Sequence, residues 1–245
     1  MQTTVPIYVE ATSTRAFAGA IEWPGWSRGA RTEEQAIEAL AAYGRRYSAV
    51  ARRAGLSFAP PGSAVEFEVV QRLPGGASTD YGIPSLPPAA DERSIDEPAL
   101  ARLEALLQAS WDTFDANAER AVGVQLRTGP RGGGRSLEKI EEHVRMAEQA
   151  YLTQLGARPP APDGSGASGA AGRGPLREAL LSTLAARARD TPVGNPSGTR
   201  KRWLPRYFVR RTAWHALDHA WEIEDRMIGA DGADGARDDD AAAPG

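Results

Sequence analysis

Hydrophobic and polar positions divide this chain into a first part with strand-like alternation and a second part with helical spacing. Ile7-Tyr8-Val9 and Phe17–Ile21 are short β-prone runs, the second closing at Trp23-Pro24-Gly25-Trp26. A helix is expected from Thr32, a capping residue followed by Gln35 at the capping-box distance. Its apolar positions Ile37, Leu40, Tyr43 or Gly44, Tyr47 and Val50 keep a helical period, and Gly55 can end it. Val65–Val69 alternates apolar and acidic residues, as a half-buried strand does. The stretch 73–93 is rich in Pro, Gly and Ser and reads as a linker, leaving a small α/β module over residues 1–72.

Residues 94–228 carry helical periodicity. The first helix is expected from Asp96 or Pro98, with Leu100, Leu103, Leu107, Trp111, Phe114 and Ala118 on its buried stripe. The second begins at Ser136, buries Leu137, Ile140, Val144, Ala147 and Tyr151, and stops at Gly156. A low-complexity loop follows, then a third helix from Pro175 to about Arg189 and a fourth from Pro205 to Met227. The Gly-, Ala- and Asp-rich tail 229–245 is expected to be disordered. The expected fold class is an α+β N-terminal module followed by an all-α four-helix bundle over residues 94–228.

Composition narrows the chemistry. Among 245 residues there is no cysteine, which excludes disulfide scaffolds, cysteine-ligated zinc and a protein thiolate nucleophile. The net charge of −3 gives no global field for nucleic acid. No stretch reaches the roughly 18 apolar residues of a membrane span, and the N-terminus has no signal-peptide pattern. A cytoplasmic protein without membrane association is expected.

There are only three histidines, and all flank apolar seams. On the fourth helix Val209, Ala213, Ala216, Ala220, Ile223 and Met227 form a packing seam. Thr212, His215, His219, Glu222 and Arg226 lie on the neighbouring stripe. His215 and His219 are thus one turn apart and can converge on one ion. His143, three residues after Ile140 and four before Ala147, flanks the seam of the second helix. Three neutral imidazoles leave a coordination position open, the pattern of a catalytic site. The donors do not choose among zinc, nickel, iron and manganese. Glu222 is a candidate partner for an imidazole N–H or a proton acceptor, with pairing to Arg226 as its ordinary role; Asp218 shares that ambiguity.

The segments GGGRSLEKIEEHVRMAEQAYLTQLG and RYFVRRTAWHALDHAWEIEDR resemble the DinB-like superfamily over about residues 95–228. The resemblance implies a four-helix bundle with His143 in helix two and His215 and His219 in helix four, holding a divalent metal. It further implies a metal-dependent transferase using a low-molecular-weight thiol, with metal-dependent hydrolases beside it. A non-enzymatic, metal-stabilised binding module is the remaining class. Residues 5–70, through AIEWPGWSRGARTEEQAIEAL, resemble the HicB-like domain. That likeness implies a small α/β module that binds a partner or small ligand and carries no catalytic residue, here read as an accessory or oligomerisation module; homodimerisation stays open.

Two cationic features complete the reading. Gly129–Ser136 approximates a P-loop, but Arg135 stands where Lys belongs and the surroundings are helical, so a nucleotide enzyme is disfavoured. Arg131 and Arg135 are instead candidate substrate contacts before helix two. Arg200, Lys201, Arg202, Arg206, Arg210 and Arg211 crowd the start of helix four, against its dipole. Acidic neighbours such as Glu138, Glu141 and Glu142 compensate them, or they are simply solvated, or they receive an anionic arm of a small-molecule substrate, with Arg211 the candidate contact. Nucleic acid is the weaker option, because the charge is local and the chain is net acidic.

Overall fold

A computed structural model describes residues 4–128, 134–160, 169–191, 193 and 202–227, excluding the side chains of Val65 and residues 169–171. A mixed four-stranded sheet forms from β1 (Val5–Ala11), β2 (Ala16–Ala20), β3 (Ser27–Ala30) and β4 (Phe67–Pro74), in the order β3-β2-β1-β4. β1 pairs antiparallel with β2 and parallel with β4, with a register shift between Ile7 and Tyr8. Small residues in β2 (AFAGA) let rings from the neighbouring strands lie across the backbone. Gly19 faces Tyr8 in the ladder, and a Cβ there would sit 2.5 Å from the Tyr8 ring. β4 alternates partly buried and exposed positions, as its apolar–acidic pattern requires.

Thr32 caps α1 (Glu33–Ala42) through Gln35 N–H at 3.3 Å. The expected single helix divides at Tyr43 into α1 and α2 (Gly44–Arg53). The break falls beside a helix-weakening glycine and at a tyrosine whose ring meets Trp221 edge-on, 5.1 Å between centroids. β3 had no counterpart in the sequence reading, because SRGA has neither β-branched residues nor alternation.

The stretch 73–93, expected as a linker, is packed. A short helix α3 (Ala77–Asp80) and a 3₁₀ turn at Ala89–Glu92 dock it between sheet and helices. The buried carboxylate of Glu10 accepts bonds from the Thr79 hydroxyl and from the amides of Ser85 and Leu86. Polar backbone without regular pairing is satisfied in this way, which holds the segment in place.

Four long helices follow: α4 (Glu97–Arg120), α5 (Leu137–Leu155), α6 (Gly169–Ala188) and α7 (Pro205–Arg226). Asp96 caps α4 through Ala99 N–H at 2.9 Å. Gly156, at φ 113°, stops α5 in the left-handed region open to glycine. α6 begins six residues before the expected Pro175, which lies within the helix. One apolar cluster draws on all four helices, including Leu107, Phe114, Ile140, Leu152, Leu180, Phe208 and Ile223. A second joins Ile7, Val9, Trp26, Leu40 and Tyr47 to Leu106 and Ala109 of α4 and Leu217 and Trp221 of α7. The sheet and the helices therefore share a core, and α7 is buried on nearly all sides because it belongs to both clusters. No helix among the described residues is long and apolar enough to cross a membrane. The tail 229–245 lies outside the described residues.

Candidate metal centre

α7 presents His215 and His219 one turn apart toward α5, which supplies His143. The three rings stand 4.7–5.0 Å apart between centroids. One nitrogen from each lies within 4.8 Å of the others, and no further histidine or carboxylate joins the group among the described residues. His215 Nε2 and His143 Nε2 are 3.1 Å apart. Two nitrogens bound to one tetrahedral zinc at about 2.0–2.1 Å would be roughly 3.3 Å apart. The donor set and spacing therefore fit a divalent ion held by His143, His215 and His219.

Glu222 fixes the third ring. His219 Nδ1 lies 2.7 Å from Glu222 Oε2, so with the proton on Nδ1 the imidazole donates to the carboxylate and keeps Nε2 as its free lone pair. Arg226 donates to Glu222 Oε1 at 2.7 Å and to the carbonyls of Arg127 and Arg135 at 2.9 Å. Glu222 is thus both the imidazole partner and the Arg226 partner that its position allowed. Burial opposes its charge, but the bonds from His219 and Arg226 outweigh it and hold the carboxyl below its ordinary range. Asp218 turns away and pairs with Arg28 at 3.1 Å.

His215 is held well below the usual histidine range, first by burial and then by the electrostatic cost of adding a proton beside His219, Arg211, His143 and Arg135. His143, half buried, is lowered by burial, His219 and Arg135. Both rings are therefore neutral at neutral pH, the state in which imidazole offers a lone pair.

The arginines expected to act together are separated. Arg210 forms two hydrogen bonds to Asp91, at 2.7 and 3.0 Å, and donates to the carbonyls of Ala20 and Ile21. Arg206 donates to the carbonyls of Arg93 and Ser94. Neither compensates through the expected acidic neighbours: Glu141 pairs with Arg173 and Glu142 with Arg145. Arg211 alone of these three lies on the histidine stripe. Its guanidinium is 4.6 Å from the Trp214 ring centroid and 5.7 Å from that of Tyr151, and its buried Nη1 has no hydrogen-bond partner. No carboxylate pairs with it among the described residues. Arg135 is exposed and close enough to depress both His143 and His215. Arg131, Arg200 and Lys201 lie outside the described residues.

Tyr151, expected only on the buried stripe of α5, and Trp214, which has no expected role, wall His215 at 5.8 and 6.2 Å between centroids. A signal was present, since Tyr151 lies just over two turns beyond His143 and Trp214 adjoins His215. No model of a known protein family matches this chain, and no curated protein or solved structure does either.

Proposed function

We propose that helices α4–α7 form a four-helix bundle of the DinB-like type and that the chain is a divalent-metal-dependent enzyme. Its reaction would be transfer involving a low-molecular-weight thiol. The observation that carries this reading is the convergence of His143, His215 and His219 with no fourth histidine or carboxylate in the group among the described residues. Three imidazoles with an open position are the pattern of a reactive rather than a closed structural site. When bound, the ion supplies the Lewis acidity that makes a thiol nucleophilic at neutral pH in a chain without cysteine.

The protein's own groups have separate roles in this reading. The three neutral imidazoles hold the ion without cancelling its charge, which favours an anionic ligand. Glu222 sets the orientation and tautomer of His219. Arg211, a buried guanidinium with an unfilled donor, attracts a carboxylate on the substrate, because an anion there would relieve the cost of leaving that donor unpaired. The rings of Tyr151 and Trp214 hold Arg211 in place and limit water around it. Arg135, exposed, contributes positive potential to the same region.

Cobalt-substituted protein titrated with carboxylate-bearing thiols and uncharged analogues tests the proposal. Thiols are expected to change the cobalt absorption spectrum, and Arg211→Ala is expected to weaken the charged thiol selectively. Absence of any spectral response to thiols would remove the transferase reading.

A further inference from the structure

On another face of α7 from the histidines, a cavity of about 450 Å³ opens where the β2–β3 turn, residues 93–94, and the first turns of α4 and α7 meet. Four of its lining residues are arginines: Arg93, Arg102, Arg206 and Arg210. One lining residue, Glu22, is acidic and pairs with Arg93 at 2.7 Å; Asp91 pairs with Arg210 from behind. Four guanidinium groups against two carboxylates leave two positive charges unbalanced. Glu97 pairs with Arg189, away from the cavity, and Asp96 caps α4.

Arg102 stacks 4.4 Å from the Trp23 ring centroid and has no hydrogen bond or ion pair among the described residues. Arg206 bonds only carbonyl oxygens, leaving its charge without a carboxylate. Its pKa is lowered, first by burial and then by repulsion from Arg93 and Arg210 that Glu22 and Asp91 partly offset. The N-terminus of α7, with no acidic residue in its first turn, adds positive potential at the same place. Ile21, Pro24 and Leu103 give the cavity an apolar wall. Its volume falls within the range of roughly 300–1,000 Å³ typical of small-ligand pockets, larger than a bare phosphate needs.

We propose that this arginine-lined cavity is a second ligand site, separate from the metal centre, that takes a small phosphorylated organic molecule. The phosphate would sit between Arg102 and Arg206, which retain unused donors and charge, and the organic body would lie along the apolar wall. A guanidinium fork matches phosphate geometry, and the anion relieves the mutual repulsion of the arginines.

Calorimetric titration of the full-length protein with AMP, inorganic phosphate, pyrophosphate and adenosine at 0.15 M salt, about physiological ionic strength, tests this. Saturable AMP binding is expected, weakened about tenfold or more in Arg102→Gln and in Arg206→Gln. Removing the opposing carboxylate in Glu22→Gln should tighten binding severalfold, a change of sign that loss of structure would not produce. His143→Ala should leave the affinity unchanged, which separates this site from the metal centre. Inorganic phosphate or pyrophosphate binding as tightly as AMP would keep the anion site but overturn the organic ligand. No saturable binding of any phosphate, or binding indifferent to Arg102→Gln, would overturn the site altogether. Arg102 makes no hydrogen bond among the described residues, so its replacement tests binding with little disturbance of the fold.

Discussion

The nitrogen of His219 that faces Glu222 decides what its other nitrogen can do. With Nδ1–H directed to the carboxylate at 2.7 Å, the Nε2 lone pair is free to join those of His143 and His215. Glu222→Gln keeps the size of the side chain but replaces a charged acceptor with a neutral one that can also present an N–H. Metal affinity, measured by competition with a chromophoric chelator, is expected to fall about 10- to 100-fold. An unchanged affinity would leave Glu222 as a partner of Arg226 only. Replacing His143, His215 or His219 singly with Ala should sharply lower metal content by elemental analysis. Stoichiometric metal in the triple variant would end the metal reading. Arg211 acts at the same scale: its charge suppresses protonation of His215 and its Nη1 awaits an acceptor.

Helices α4, α5 and α6 meet through a buried charged group as well as through leucines. Asp115 of α4 pairs with Arg173 and Arg177 of α6, both at 2.6 Å. Glu148 of α5, only 1% exposed, approaches Arg177 Nε at 3.5 Å without a hydrogen bond to either carboxyl oxygen. Burial raises its pKa to about 7, against the lowering fields of Arg177 and Arg173, with Asp115 adding to the rise. In the unfolded chain Glu148 would ionise near 4.5, its ordinary value. Between those values the native protein holds a proton that the unfolded chain has released, so stability falls as pH rises through this window. The full cost, present above the folded pKa, is of order 3 kcal/mol. Glu148→Gln should therefore raise the melting temperature at pH 8 and lose that advantage toward pH 5. Equal destabilisation at both pH values would mean that Arg177 requires the carboxylate.

Across the whole molecule, α7 connects the sheet to the other long helices. Leu217 and Trp221 face the sheet-side core, while Phe208, Ala213 and Ile223 face the cluster shared with α4, α5 and α6. Arg210 adds bonds to the Ala20 and Ile21 carbonyls, which only the folded N-terminal part supplies in that position. A fragment beginning at Asp91 would expose Leu106, Ala109, Leu217 and Trp221 and leave Arg210 with donors unfilled. It is expected to melt without a cooperative transition and to bind metal weakly, as followed by circular dichroism and elemental analysis. A cooperative helical fragment with full metal content would show that the helices fold without the sheet, as the linker reading of 73–93 implies. Removing one side of a shared apolar core costs about 25 cal/mol per Å² newly exposed, and buried polar groups lose their partners as well.

Local pattern was sufficient wherever one face of an element is buried and its ends carry chemical signals. The caps at Thr32, Asp96 and Gly156, the alternation in β4 and the stripes of α4, α5 and α7 are of this kind. The spacing of His215 and His219 placed them together on one turn, and His143 could be set beside them because it too flanks a seam. Tertiary structure decided the rest. The break at Tyr43 coincides with its ring packing against Trp221, nearly 180 residues along the chain, and β3 is recruited by its neighbour rather than by its own propensity. Arg206, Arg210 and Arg211 look alike as a run of cations, yet the turn of the helix sends the first two toward the β2–β3 turn and residues 91–94, and the third toward His215. Sequence determines which charges a helix carries; the partners packed around it determine whether each is neutralised, stacked or left facing a site.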